Sequence, residues 1–153
     1  MDISHVPLIL QSVSTLVLAG GVTFAAVQFR HWRRVALTAN FTKLVELQMD
    51  LRKMRVTDPS LASIYSHDVK DMTSDREIRE YFMNLMQLSV FEIVWFNHKQ
   101  GLLPDDYFES WVKRIRDIQQ EESFRKMFNN PAMKIMHDDF QEMVRSMMDE
   151  SGR

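Results

Sequence analysis

The residue best placed to do chemistry is one carboxylate inside an apolar stretch. Between Phe82 and Phe96 the only formally charged side chain is Glu92. At helical spacing Glu92 shares a face with Ser89 and Leu85, and a carboxylate buried there needs a hydrogen-bonding partner or a raised pKa. Because perturbed groups cluster at functional sites, Glu92 and Ser89 are the first candidate site. The alternative is structural: a buried Glu, satisfied by an Arg, an Asn or a backbone donor, that fixes helix register.

His98 is the third member of this candidate site, as the histidine that follows Glu92 most closely. Six residues separate them, which places the side chains about 120° apart on a helix, so they do not form a local metal pair. The five histidines show no spacing that zinc or di-iron sites use. His137, Asp138 and Asp139 supply metal ligands only if another segment joins them. The sequence therefore predicts no metal and no cofactor.

Signatures of covalent or phosphate chemistry are missing from the sequence. The four glycines, at 20, 21, 101 and 152, form neither a G-x-S-x-G elbow nor a phosphate-binding loop. Residues 35–153 carry 16 basic and 20 acidic side chains, a formal charge of −4, which disfavours nucleic acid as a partner. The lack of cysteine excludes a disulfide framework. A non-enzymatic function is favoured, although an enzyme with a dispersed site stays open.

An uncharged run of 24 residues, 6–29, is long enough to cross a bilayer as a helix. It ends in a basic cluster, with Arg30, Arg33 and Arg34 around Trp32, an arrangement typical of a membrane interface. A helix buried in a soluble core is the alternative. A cleavable signal peptide is disfavoured because the basic cluster follows the apolar run.

The basic cluster also predicts orientation, because Arg resists translocation across the bilayer. We expect the N-terminus outside and the remaining domain in the cytoplasm. The predicted organisation is an outer tail at 1–5, a transmembrane helix at 6–29, a basic interfacial collar at 30–35 and a helical bundle at 36–153. The expected partners are the lipid bilayer, a second copy of the chain and another protein.

Small and hydroxylated residues follow one side of the span at steps of three or four. They are Ser12, Thr15, Ala19, Thr23 and Ala26. Small residues let membrane helices approach closely, so this face predicts self-association. The alternative is that membrane helices commonly carry such residues.

The first helix is predicted to continue past the membrane, since no Gly or Pro occurs between Val22 and Asp58. An apolar stripe follows the collar at Leu37, Phe41, Leu44, Gln48 and Leu51, broadened by Val45. The helix should end at Asp58-Pro59, because the residue before proline is pushed out of helical geometry.

Helical patterns also fill the rest of the domain. A short helix is predicted over 60–67, and Ser74-x-x-Glu77 is a capping box that opens a central helix buried on more than one side. Gly101 suits a left-handed turn, and Pro104 suits the first turn of a helix with a 3-4-3 stripe at Phe108, Trp111, Ile115 and Ile118.

Two further helices complete the predicted bundle. We expect Ser123 to cap a short helix that carries Phe124, Met127 and Phe128. Asn130-Pro131 is expected to start a last helical region with Met136, Phe140, Met143, Val144 and Met147 on its buried side. No convincing strand pair occurs, so the fold class is all-α, an antiparallel helical bundle.

Five of the twelve methionines lie near the C-terminus, at 133, 136, 143, 147 and 148. Flexible thioethers can line a groove for a partner helix, and they can equally fill gaps in a core.

The order of these signals resembles a widespread set of small bacterial membrane-anchored proteins. The matching features are the span, the basic collar, Asp58-Pro59-x-Leu61-Ala62-x-Ile64-Tyr65, a capped helix with Phe91-Glu92, then Gly101-Leu102-Leu103 and Trp111. The resemblance implies a bacterial inner membrane and an all-helical cytoplasmic domain. It implies no particular activity, cofactor or catalytic residue.

Three functions remain open from the sequence. The leading hypothesis is a membrane-anchored, non-enzymatic interaction or scaffold module that self-associates. The rival is a helical-bundle enzyme that uses Glu92 with a nearby histidine on a lipid-soluble or phosphorylated substrate. The third is a small oligomeric channel through the Thr-rich face of the span.

Overall fold

The computed structural model of the chain describes residues 6–132 and 134–151. These residues form helices and no strand, which confirms the all-α prediction. The elements are α1 (Val6–Thr57), a 3₁₀ helix (Pro59–Asp68), α2 (Asp75–Lys99), α3 (Asp105–Ile118), α4 (Glu122–Asn129) and α5 (Asp138–Ser151). The predicted outer tail at 1–5 and Met133 lie outside the described residues.

Helix α1 runs without a break for 52 residues, which confirms that the apolar segment continues into the next helical pattern. The chain divides into two units, residues 1–37 and 38–153. In the first unit the described apolar side chains between Leu10 and Phe29 are exposed, with Leu16 at 73% and Val17 and Leu18 at 70%. Among the described residues, one helix is long and apolar enough to cross a membrane, and no residue of its most apolar window is buried.

Helix α1 ends where the proline rule predicts. Asp58 adopts an extended conformation, with φ −126° and ψ 93°, because it precedes Pro59. Its carboxylate accepts a hydrogen bond from the backbone N–H of Ser60 at 3.0 Å and caps the segment that follows. The short helix predicted over 60–67 is therefore confirmed, as a 3₁₀ helix.

Helix α2 begins with the predicted capping box. The Ser74 hydroxyl accepts from the Glu77 N–H at 3.3 Å, and the Glu77 carboxylate accepts from the Ser74 N–H at 3.2 Å. These bonds satisfy two amides of the first turn that lack a helical partner. Nine side chains of α2 are buried and lie on several of its faces, which confirms a central helix.

Helix α3 follows a tight turn at Gly101, whose φ of 70° lies in the left-handed region that favours glycine. Pro104 immediately precedes the first helical residue, one position earlier than predicted. Ile115 is buried, and the other three members of the 3-4-3 stripe are partly buried against the same core, as predicted.

Two predicted helix starts are wrong. Helix α4 starts at Glu122 without a side-chain cap, and the Ser123 hydroxyl accepts instead from the Asn84 amide at 3.1 Å. Asn130 starts no helix, because its side chain accepts from the Ala132 N–H at 2.7 Å and holds a turn. The last helix begins later, at Asp138.

The core of the second unit lies around α2. Buried apolar side chains come from the 3₁₀ helix and from α2 to α5: Ala62, Tyr81, Phe82, Leu85, Leu88, Phe91, Val94, Trp95, Ile115, Phe124, Met127, Phe128, Phe140, Val144 and Met147. Met136, Met143 and Met148 pack against this cluster, so the described C-terminal methionines contribute to the core.

The stripe predicted for α1 after the collar is only partly correct. Val45 is buried and Phe41 and Gln48 are partly buried, as predicted, but the leucines are not on the buried face. Leu37, Leu44 and Leu51 are exposed at 49%, 67% and 61%, whereas the buried residues are Thr38, Val45 and Arg52. The buried face repeats every seven residues, as the stripe does, but two of its three members are polar. A pattern based on hydropathy assigns apolar residues to the buried face, so it placed the leucines there and left out Thr38 and Arg52.

Replacement of Ser74 by alanine tests the capping box. Ser74→Ala removes the acceptor of the Glu77 N–H and should lower the free energy of unfolding by about 1 kcal/mol. Urea denaturation of the purified full chain measures this change. Ser146→Ala is the matched control, because its exposed hydroxyl donates only to the Glu142 carbonyl within α5. Equal stability of the two variants would contradict a stabilising cap.

Candidate functional site

Arg52 of α1 is buried, at 7% exposure, and its guanidinium contacts α2. One nitrogen donates to the Ser89 hydroxyl and to the Leu85 carbonyl oxygen, the latter at 3.3 Å. Another nitrogen donates to the Gln48 side-chain oxygen at 3.3 Å. A buried charge needs such partners, so this cluster attaches α1 to α2 through polar contacts.

Burial lowers the pKa of Arg52 to about 10, and the nearby Tyr81 and Glu92 oppose the change. Water that would stabilise the cation is displaced, which favours the neutral form. At neutral pH the guanidinium still carries its charge, because the pKa lies well above 7. A full positive charge therefore lies between α1 and α2.

Glu92 lies one turn beyond Ser89 on the same helix and is almost fully buried, at 2% exposure. One carboxylate oxygen accepts from the backbone N–H of His137 at 2.7 Å. This bond joins the middle of α2 to the residue that precedes α5. Glu92 therefore has the backbone partner that the structural alternative requires.

Burial raises the pKa of Glu92, while the His137 backbone N–H, the His137 side chain and Arg52 oppose the change. Arg52 acts at longer range, because no ion pair within 4.0 Å joins the two side chains. Between pH 4.5 and the raised pKa the folded chain holds a proton that the unfolded chain has released. Stability from this group therefore falls as pH rises through that window.

A shallow groove of about 280 Å³ opens beside Glu92. It is bounded by α1, α2 and the segment before α5. Its lining residues are Phe41, Leu44, Val45, Gln48, Glu92, Ile135, Met136 and His137. The His137 ring stacks on Phe96 at 5.4 Å between centroids and also contacts Phe41 and Trp95. Apart from the carboxylate, the Gln48 amide and the imidazole, the walls are apolar.

His98 does not belong to this cluster. Its Nε2 lies 2.9 Å from the Asp105 carboxylate, and its ring stacks on Phe108 with centroids 4.0 Å apart. It fixes the start of α3 against the end of α2. Glu92 and Ser89 thus share a site, whereas the third predicted member lies elsewhere.

Of the two acidic residues beside His137, Asp139 has another partner. Asp139 lies 2.6 Å from the Lys99 amine, and Asp138 lies in the first turn of α5. In the described part of the chain, no group of three or more His, Asp or Glu side chains is placed to hold a metal ion.

The predicted membrane features all lie on exposed positions of α1. Arg30, Trp32, Arg33 and Arg34 are exposed, and so is the small-residue face at Ser12, Thr15, Ala19, Thr23 and Ala26. The Thr15 and Thr23 hydroxyls donate to the carbonyls of Gln11 and Ala19 at 2.9 Å, so both are satisfied within the helix.

We define the polar cluster as Arg52, Gln48, Ser89 and Glu92 together with the backbone N–H of His137. Two of its members could not be predicted from the sequence. Arg52 lies at an interval of seven from Thr38 and Val45, but a basic residue in an amphipathic helix reads as solvent-facing. The His137 contact with Glu92 is made by the backbone, which no side-chain pattern reveals. Glu92 and Ser89 could be found because an isolated charge interrupts an apolar run.

Comparison of the chain with family models, curated proteins and solved structures gave no match. The resemblance to bacterial membrane-anchored proteins therefore stays a prediction.

The electrostatic link between Arg52 and Glu92 can be measured directly. Arg52→Met removes the cation that favours the Glu92 carboxylate, so the pKa of Glu92 should rise further above its ordinary value. Carbon-13 NMR of the Glu92 carboxyl in the full chain follows this titration. Arg55→Met is the control, because Arg55 pairs with Asp68 at 3.3 Å. A Glu92 titration that is the same in both variants would contradict the link.

Replacement of Glu92 by glutamine tests the pH dependence. Gln accepts from the His137 N–H without carrying a charge, so Glu92→Gln should lack the loss of stability that Glu92 causes as pH rises above 4.5. The measurement is urea denaturation at several pH values. Glu92→Ala should lose about 1–3 kcal/mol at every pH, because it leaves that N–H unpaired. Parallel pH profiles for wild type and Glu92→Gln would show that Glu92 titrates normally.

Proposed function

We propose that the chain is a membrane-anchored, non-enzymatic interaction or scaffold module at the inner membrane of a bacterium. The observation that carries this proposal is the exposure of the apolar part of α1. Between Leu10 and Phe29 the described valine, leucine and phenylalanine side chains are exposed, from 54% at Val13 to 73% at Leu16.

Lipid is the solvent that fits this surface. Monomeric soluble proteins rarely expose contiguous apolar patches larger than a few hundred Å². A helix satisfies its own backbone hydrogen bonds, so it can enter hydrocarbon without an unpaired group. The Thr15 and Thr23 hydroxyls are also bonded within α1, which lowers their cost of transfer to lipid.

The basic collar supports an orientation with the N-terminus outside and the second unit in the cytoplasm. Arg30, Arg33 and Arg34 are exposed. Such residues resist translocation and attract anionic lipid headgroups. The bacterial setting rests on the resemblance described above.

The polar cluster supports a structural role for Arg52 and Glu92, the two charged side chains that are buried among the described residues. The Arg52 guanidinium bonds to Ser89, Leu85 and Gln48, and one Glu92 oxygen bonds to the His137 backbone. These groups hold α1, α2 and the start of α5 together. A domain stabilised in this way, confined to a surface, searches for partners in two dimensions.

The rival enzyme hypothesis has one supporting observation, the groove that Glu92 and His137 both line. Its apolar walls fit a lipid-soluble substrate, and its carboxylate disfavours a phosphorylated one. Loss of a cellular phenotype in Glu92→Gln, with stability and membrane association unchanged, would favour this enzyme. Among the described residues, no contact favours the channel hypothesis.

Carbonate extraction combined with protease protection tests the proposed placement. We expect the full chain to stay in membranes at high pH and its C-terminal part to be digested only after the inner membrane is opened. Replacement of Arg30, Arg33 and Arg34 by glutamate should invert or mix the topology, because charge sets orientation. Replacement of Lys113, Arg114 and Arg116, exposed on α3, makes the same charge change and should leave topology unaltered.

Two results would contradict the placement. Release of the wild-type chain by carbonate would show that α1 does not insert. Digestion of the C-terminal part from the periplasmic side would show that the orientation is reversed.

A further inference from the structure

A second apolar surface lies on α1 within the second unit. We define the outer seam as Asn40, Leu44, Leu47, Leu51 and Met54, which follow one another at intervals of four, three, four and three. The four apolar members are exposed at 67%, 51%, 61% and 55%, in chain order. Lone exposed leucines are ordinary, but a row at this spacing forms one continuous stripe.

The outer seam faces away from α2, although Leu44 at its edge also lines the groove beside Glu92. At 3.6 residues per turn, its centre is about 140° around the helix from the face that holds Thr38, Val45 and Arg52. Another helix can therefore lie along it without displacing α2. The repeat averages 3.5 residues, the period at which two helices pack side by side in a left-handed coiled coil.

We propose that the outer seam binds the outer seam of a second copy of this chain, as a short, parallel, in-register coiled coil. This inference rests on the proposed membrane anchor, since copies inserted in one direction present α1 in one direction. Leu44, Leu47, Leu51 and Met54 then each meet their own counterpart. A two-fold axis relates the two copies, which closes the assembly at a dimer.

Asn40 gives this pairing its register. A carboxamide has both a donor and an acceptor, so it is complementary to a second copy of itself. In any shifted register the amide would face a leucine and lose its hydrogen bond, at a cost in free energy. A single polar residue in an apolar seam is a known device for fixing register in coiled coils.

The charges beside the seam are also compatible with parallel self-pairing. In a parallel coiled coil, the residue just before every second core position, here Leu44 and Leu51, faces the residue five positions later on the partner helix. Asp50 then faces Arg55 of the second copy, which also pairs with Asp68 of its own chain, and Lys43 faces Gln48. One contact is attractive and the other is neutral, and no like charges meet.

The outer seam is too short to hold a dimer together in dilute solution, so pairing depends on the membrane. From Asn40 to Met54 it covers 15 residues, or about 22 Å of helix. A stable interface usually buries about 800 Å² per partner from roughly 20–30 residues, which this seam does not supply. Confinement in a bilayer raises the effective concentration, so pairing is expected in membranes and weak in dilute detergent.

The native chain contains no cysteine, so single-cysteine variants report this contact without background. Leu44→Cys, Leu47→Cys and Leu51→Cys should form disulfide-linked dimers on mild oxidation in native membranes. A disulfide needs Cα atoms within about 7 Å, which only facing positions reach. Glu46→Cys and Lys53→Cys are the controls, since they are exposed but lie on another side of α1. Seam positions should give several-fold more dimer than controls.

A disruption variant completes the test. Leu51→Glu places two carboxylates opposite each other in the dimer, so it should abolish dimer formation by Leu47→Cys. The change lies at an exposed position, and circular dichroism and urea denaturation check that the variant remains folded. Glu46→Gln, an exposed position on another side of α1, should leave dimer formation unchanged.

The outcomes separate this inference from the proposed anchor. Release of the chain by carbonate would overturn both. Carbonate resistance with equal dimer yields at seam and control positions would overturn the seam alone. Two other results would also overturn it, because each would show another occupant of the seam. One is a disulfide from a seam cysteine to a different protein, and the other is crosslinking of a photoreactive probe on a seam cysteine to lipid.

Discussion

The burial of Arg52 is the constraint on which the second unit depends. A guanidinium removed from water must find acceptors, and α2 supplies them through the Ser89 hydroxyl and the Leu85 carbonyl, with Gln48 from α1 itself. These partners lie in one direction from the helix axis. The rotation of α1 is therefore set by a polar contact, and the leucines that would otherwise face the core are turned outward.

Glu92 extends the same logic to the end of the chain. The carboxylate attracts Arg52 at longer range and accepts from the His137 backbone, so one residue of α2 influences both the first and the last helices. The aromatic contacts of the His137 ring then hold the segment before α5 near α1 and α2. The polar cluster is small, but it connects elements that are distant in the sequence.

Local signals made most of the fold predictable from the sequence. Asp58-Pro59, the Ser74–Glu77 capping box and Gly101 each act over a few residues, and each appears in the structure where the sequence placed it. The rotation of α1 could not be predicted, because it depends on whether Arg52 finds acceptors on another helix. The same reason explains the site: Glu92 and Ser89 were visible as polar residues in an apolar run, whereas the His137 backbone contact required the tertiary structure.

The central claim is that Arg52 sets the rotation of α1, and a thiol-reactivity scan along residues 38–56 tests it most directly. Each variant carries one cysteine and is labelled in dilute detergent, where pairing of two copies is expected to be weak. The account predicts slow labelling at the positions of Thr38, Val45 and Arg52, and fast labelling at those of Leu44 and Leu51. Slow labelling at the positions of Leu44 and Leu51, with fast labelling at those of Thr38 and Arg52, would show that the leucines face the core and that Arg52 does not orient the helix.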